Sequence, residues 1–257
     1  MQRLPTVLRD TLTEVGGIAQ FTGRFFRNAF HPRFAWDELV RQSVVNGYRS
    51  MALVGITAFI MGLVLTVQSR PTLARFGAES MLPSMVAISM VREIVPVITA
   101  LIGAGKIGSS MGAELGSMRV TEQIDAMEVS GTNPFRYLVV TRVWSTTLML
   151  PLLVVLGDVI AIFASWVGVN FYGTVSWQLF QTQVMDSITG ADLFPAFIKS
   201  YFFGLAIGLV GCFTGWNARK GTTGVGEAAH RAVVLGSLLV FILDLLAVQV
   251  TDLLGIN

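Results

Sequence analysis

The chain has 257 residues, 53% of them hydrophobic and 13% charged, with a mean hydropathy of +0.66. A soluble globular domain carries roughly 25% charged residues, so this composition, with apolar runs of helix-spanning length, excludes a soluble domain and points to an integral membrane protein. The formal net charge of +2 is too small for a nucleic-acid-binding surface, and the lone Cys212 excludes an internal disulfide.

Residues 1–50 mix Phe and Trp with Arg3, Arg9, Arg24, Arg27, Arg33, Arg41 and Arg49. That mixture predicts an interfacial amphipathic helix with its basic residues toward anionic headgroups, the alternative being a soluble cytoplasmic extension. Pro32 is expected to divide it in two. The segment is too charged for the apolar part of a signal peptide, so the first span is expected to be retained. Residues 51–257 then form a five-span domain, all α, with spans over 51–69, 84–114, 143–169, 195–216 and 232–254. The second span is long for a bilayer and must tilt, kink at Pro96 or project into water.

Basic residues set the orientation. Besides the N-terminal arginines, Arg119, Arg136 and Arg142 follow span two, and Arg219, Lys220 and Arg231 follow span four. Residues 170–198 on the other side carry Asp186 and Asp192 with Lys199 just beyond, and only Arg70 and Arg75 in the first outer loop go against the bias. The N-terminus is therefore expected in the cytoplasm and the C-terminus outside.

After span one, Pro71 and Pro83 are expected to break a loop that mixes Leu73 and Phe76 with Gln68, Arg70 and Arg75. It reads as the upper wall of a cavity or as an ordinary loop anchored to lipid phosphates. Inside the spans, Arg92, Glu93, Lys199 and Asp244 all fall in the outer half, and an ionisable residue in a bilayer needs a partner or water. Glu93 and Asp244 near Lys199 would make a nearly neutral cluster, either a staple between spans or a polar element of a transport cavity. Arg92 adds a guanidinium suited to a phosphate. Gly108, Gly112 and Gly116 recur every four residues, a stripe that permits close helix packing within the chain or across a dimer, the former preferred. Lys106 and Glu114 lie toward the cytoplasmic end of span two, and Asp158 in span three has no evident partner.

Between spans two and three, Glu122, Gln123, Asp125, Ala126, Met127 and Glu128 read as a short amphipathic helix. Thr121 is a candidate cap, acidic residues sit where the helix dipole favours them, and Gly131 with Asn133-Pro134 stops it. A helix bounded at both ends, with methionine beside carboxylates, is the kind of surface another protein grips.

The segment MRVTEQIDAMEVSGTNPFRYLVVTRVW resembles the signature of the MlaE-type permease family, membrane subunits of bacterial lipid ABC systems that work with MCE-domain proteins. The likeness extends through VREIVPVITALIGAGKIGSSMGAELGSM, FIKS, GTTGVGEAAHRAVV and FILDLL, covering most of the chain from about residue 50. It implies that residues 122–128 form the coupling helix of a homodimeric phospholipid permease. Its partners would be a second copy, a cytoplasmic ATPase carrying ATP and Mg, and a periplasmic MCE-domain protein. It also implies that the intramembrane charges lie near the transport cavity. The implied setting is a bacterial inner membrane.

No G-x-x-x-x-G-K-[ST] phosphate loop occurs; GTTGVGEAAH, Gly221–His230, lacks the required ending and reads as a flexible connection opening span five. His31 and His230 are isolated, and no metal-ligand spacing, catalytic grouping or cofactor site is evident on this chain. Two rival readings remain. An ion-coupled secondary transporter would use Glu93, Lys199 and Asp244, although five spans show no inverted halves. A membrane scaffold without cargo would have a dry interface in place of a cavity.

Overall fold

The computed structural model describes residues 6–30, 35–171, 173 and 175–255. They form eight helices: α1 (Thr6–Ala29), α2 (Trp36–Arg75), α3 (Glu79–Val120), α4 (Gln123–Val129), α5 (Phe135–Asn170), α6 (Trp177–Ser187), α7 (Gly190–Trp216) and α8 (Thr222–Leu253). Among the described residues, α2, α3, α5, α7 and α8 are long and apolar enough to cross a membrane. At ~1.5 Å per residue, α2 and α3 reach ~60 Å, twice a hydrocarbon core, and must project from it.

The helices start earlier than the apolar runs. α2 continues without interruption across residues 50 and 51, because one face holds it to α5 along its length. Asn46, Ser50, Val54, Ala58, Gly62 and Thr66, spaced every four residues, are all buried. A Cβ on Gly62 would sit 2.3 Å from the Ala161 carbonyl oxygen, so only glycine admits that approach. Asn46 Nδ2 donates to Ser145 Oγ at 2.9 Å in the same seam. This stripe was not among the sequence expectations, though its period of four is visible in the chain.

Pro71 does not break the first loop; it lies inside α2, where the chain stays helical to Arg75. Pro83 occupies the first turn after Glu79–Met81, where a missing N–H costs little. In α3 the backbone widens into π turns at Met90–Ile94 and Ala104–Gly108. The first precedes Pro96 and accommodates its lost hydrogen bond without breaking the helix.

Three further expectations change. Arg142 is not a loop residue: α5 begins at Phe135, and Arg142 is 1% exposed, bonded to Glu114 at 2.8 Å and to the Leu138 carbonyl. The Gly221–His230 segment is not a loose connection, since the helix starts at Thr222 and Gly224 is buried against Arg219. The segment 170–198 contains α6, capped by Ser176, whose Oγ accepts from Leu179 N, and packed through Phe180 and Val184 against Ala87. Pro32 and His31 lie outside the described residues.

α1 buries Phe21, Phe25 and Ala29, spaced every four residues, and leaves Phe26 exposed, as is Phe30 just past its end. Its buried face meets Phe135 and Phe213, and the Arg24 guanidinium lies 4.2 Å from the centre of the Phe135 ring. Arg231 of α8 pairs with Glu14, and Arg136 Nε donates to Asn28 Oδ1 at 3.1 Å. The N-terminal helix is thus fastened to the end of the bundle that carries α4.

Candidate functional site

α4 hangs between α3 and α5 on a tight reversal. Glu122, not Thr121, makes the cap position. Its φ of +57° is left-handed, whereas the Thr121 hydroxyl donates back to the Ser117 carbonyl at 2.8 Å. At the other end Gly131, φ +81°, turns the chain, and Asn133 Oδ1 accepts from Arg136 N. Ile124 is 1% exposed and sits among Phe135, Met111 and Leu115, with Met127 half-buried beside them. Met127 is therefore mainly an anchor. Glu122, Gln123, Asp125, Ala126 and Glu128 face outward with Val129, which is 91% exposed. Arg119 Nη1 holds Asp125 at 2.7 Å, keeping that acidic surface close to the end of α3. The result is a short acidic projection fixed rigidly to the bundle by one buried isoleucine.

Toward the opposite end of the bundle, α3, α7 and α8 bring Glu93, Lys199 and Asp244 together. Lys199, 5% exposed, donates from Nζ to Glu93 Oε2 at 2.7 Å and to Asp244 Oδ1 at 3.0 Å. Lys199 is further from the start of its helix than the apolar run suggested, because α7 starts at Gly190, where Thr189 and Asp192 form a capping box. It lies ~14 Å along the helix from that end. Arg92 does not join this ammonium; its Nη1 lies 3.7 Å from Asp192 Oδ1, in the first turn of α7. Arg92 and Glu93 occupy the same π turn, Met90–Ile94.

Beside this cluster runs a groove between α7 and α8 of about 450 Å³, within the range of small-molecule sites. Phe202, Phe203, Leu243, Leu246 and Val250 line it, together with Lys199 and Thr251. A small niche formed by Arg92, Glu93, Pro195, Lys199, Ala247 and Thr251 adjoins it, sharing four of those residues with the groove. The expected cavity set fares differently. Gln68 and Phe76 are exposed on α2 and its end, and Leu73 packs into the core with Leu65 and Val86. Within one chain these three line none of the cavities described; only Arg92 does. They are on an extended helix end, not in the folded loop the prolines suggested.

A second cavity of about 270 Å³ lies on the other side of α7, lined by Val91, Val154, Asp158 and Phe197. Asp158 Oδ1 is buried there without a hydrogen-bond partner.

The glycine stripe joins the two ends. Gly112 lies where a Cβ would be 3.0 Å from the Ala228 carbonyl oxygen of α8, and Gly108 and Gly116 approach Ile207 and Ala218. A Cβ on Gly215 of α7 would in turn meet the Gly112 carbonyl oxygen at 2.8 Å. The stripe is an intramolecular three-helix seam. Lys106, in the second π turn, donates to the Arg49 carbonyl and ties α3 to α2. α3 is thereby one continuous rod with Glu93 toward one end and Glu122 just beyond the other.

Residues 39–250 match the family described as Permease MlaE. A probable ABC transporter permease protein of Rickettsia felis is 34% identical over 235 residues, 91% of each chain. The intermembrane phospholipid transport system permease protein MlaE of Haemophilus influenzae is 36% identical over 210 residues, 80% of this chain and 79% of that one. A probable ABC transporter permease protein of Synechocystis is 35% identical over 221 residues, 86% and 84% of the two chains. With a family match over most of its length and relatives of this identity and coverage, the chain is a multi-pass membrane protein belonging to the MlaE permease family.

Proposed function

We propose that this chain is the permease subunit of an ABC-type phospholipid transporter in a bacterial inner membrane. It works as a homodimer, with its N-terminus cytoplasmic and its C-terminus periplasmic. A separate cytoplasmic subunit hydrolyses ATP with Mg, and a periplasmic MCE-domain partner exchanges lipid with the permease. The observation that carries this reading is α4: a two-turn acidic helix between two spans, exposed on one face and locked to the bundle by Ile124 on the other. The Haemophilus relative, an intermembrane phospholipid transport system permease protein, supports this cargo class.

In this account ATP binding draws two ATPase subunits together, and each moves a coupling helix through Glu122, Gln123, Asp125, Ala126 and Glu128. Ile124 and Phe135 are packed in one cluster with Met111 and Leu115 of α3. Movement of α4 therefore loads α3 and α5 directly, because close-packed interiors transmit displacement instead of absorbing it. Along α3 the load reaches the glycine seam and then the π turn that carries Arg92 and Glu93. π turns concentrate at functional sites and mark places where helix register shifts. The Lys199 cluster either holds the outer ends of α3, α7 and α8 together or lines the route of the lipid headgroup, and one cluster can serve both roles.

An ion-coupled transporter is the second reading, favoured by the three-residue ion cluster itself. The two separate in a reconstituted assay. Proteoliposomes containing permease and ATPase are supplied with a fluorescent phospholipid, and its movement is followed with and without ATP. ATP-dependent movement that is insensitive to proton and sodium ionophores supports the ABC reading. Movement without ATP that collapses with an ion gradient refutes it.

A further inference from the structure

α4 joins two spans that are held differently beside it. α5 lies along α2 over much of its length. The last part of α3, Ser109–Val120, packs instead on α7 and α8, where Gly112 and Gly215 bring the backbones close. From there α3 reaches α5 through long side chains. Met111 Sδ lies 3.9 Å from Thr146 Oγ1, and Glu114 Oε1 accepts from Arg142 Nη2 at 2.8 Å. The apolar contacts around them, Met111 and Leu115 with Val139 and Val143, are non-directional and oppose sliding only weakly. A charge-assisted hydrogen bond is directional and fixes the register of the two helices that share it.

Arg142 is the largest fully buried side chain among the described residues. It follows the π turn Phe135–Val140 that opens α5, and its Nη1 donates back to the Leu138 carbonyl at 3.1 Å. Its buried Nε has no partner within the chain, and the carboxylate it meets, Glu114, has a side chain 47% exposed. Such a pair contributes little net stability, because apolar residues of similar volume often do as well or better; its best-attested use is to set register. The same turn is also held to α2. Tyr137 Oη lies 3.5 Å from Glu38 Oε2, and the buried Glu38 is fixed in turn by Arg41 and Gln42, each at 2.8 Å.

We propose that Arg142 is a positioning residue for energy coupling. Paired with Glu114, it locks α5 to α3 beside α4, so that a displacement of α4 carries both spans together. Without the pair, an ATPase still docks on the exposed face of α4 and turns over ATP, but α3 and α5 slip past each other and less lipid moves per ATP. This deepens the ABC-permease reading and rests on it: it assigns the transmission step to an ion pair outside the docking surface.

The test uses the permease purified with its ATPase and reconstituted in proteoliposomes. ATPase co-purification, ATP turnover and the amount of a fluorescent phospholipid moved per ATP are read on each preparation. Arg142→Gln should keep ATPase association and turnover, while lipid moved per ATP falls about tenfold, the weight of one charge-assisted hydrogen bond. Arg142→Lys, which keeps a cation for Glu114, should retain more of the coupling than Arg142→Gln. The double variant Arg142→Met/Glu114→Leu replaces the pair with apolar side chains. It should melt no lower than wild type and still move about tenfold less lipid per ATP, a loss that a purely structural role would not produce. Wild-type lipid movement per ATP in the double variant overturns the proposal. So does loss of ATPase association in a folded Arg142→Gln complex, which would make Arg142 part of the docking surface. If the wild-type complex moves lipid with ATP and either result is seen, the role of Arg142 alone fails. A wild-type complex that moves no lipid with ATP defeats the permease reading itself.

Discussion

Replacing Lys199 with methionine keeps the length of the side chain and removes its charge. In the native chain the ammonium is 5% exposed and bonded to two carboxylates, at 2.7 and 3.0 Å. The substitution leaves these two like charges facing each other in the bilayer-spanning part of the bundle. Removing one partner of a buried ion pair costs about 3–5 kcal/mol. The side chain of Asp244 is 19% exposed and bears this fully, while that of Glu93, at 41%, is partly screened, which favours the lower end, ~3 kcal/mol. With a shift of ~2–4 °C per kcal/mol for a chain of this size, the melting temperature of the purified permease should fall by ~6–12 °C. The triple variant Glu93→Gln/Lys199→Met/Asp244→Asn removes every charge of the cluster and should recover most of the loss, since an isosteric neutral replacement is often harmless. Thermal unfolding followed by size-exclusion fluorescence in one detergent measures all three proteins. A Lys199→Met protein within about 1 kcal/mol of wild type, or a triple variant as unstable as the single, would refute the view that Lys199 is the compensating charge.

On α4, Ile124→Ala should cost about 2–5 kcal/mol as a core truncation. Val129→Ala, at a position 91% exposed, should leave stability unchanged within about 0.5 kcal/mol, both read from the same melting curves. Gly62→Ala drives a Cβ into the Ala161 carbonyl and should sharply lower the yield of folded protein. Gly105→Ala, with no neighbour within 4 Å, should be neutral or stabilise by about 0.5–1 kcal/mol. Asp158→Leu removes a buried carboxyl oxygen that has no partner and should raise stability by ~1–3 kcal/mol; a lower melting temperature would mean that Asp158 is satisfied by a group outside this chain.

The parts legible in the sequence were those governed by a steep local penalty. Charges inside an apolar run must find each other, so Glu93, Lys199 and Asp244 could be paired before their helices were placed. Glycines every four residues signal close packing, and Gly108, Gly112 and Gly116 do pack within the chain. Helix ends were less legible because hydropathy reports where the bilayer would be, not where the helix stops. Residues 36–50 are polar enough to look separate, yet Leu39, Gln42 and Asn46 continue the face of α2 that packs on α5. Arg142 looked like a loop cation because its partner, Glu114, lies on another helix. The reversal before α4 depends on a left-handed Glu122, a conformation its residue type does not advertise. The groove between α7 and α8 arises from the separation of two helices and from Phe202, Leu246 and Val250 along their facing edges, which no spacing within either helix specifies.

The central claim is that α4 is the handle through which an ATPase acts on this permease. The most direct measurement compares wild type with Glu122→Ala/Asp125→Ala/Glu128→Ala, with ATPase co-purification and lipid-dependent ATP turnover scored on the same nanodisc preparations. These residues are exposed on α4 or at its cap, so the permease itself should remain folded. The account predicts loss of both ATPase association and lipid-dependent turnover. Intact association together with unchanged turnover would contradict it.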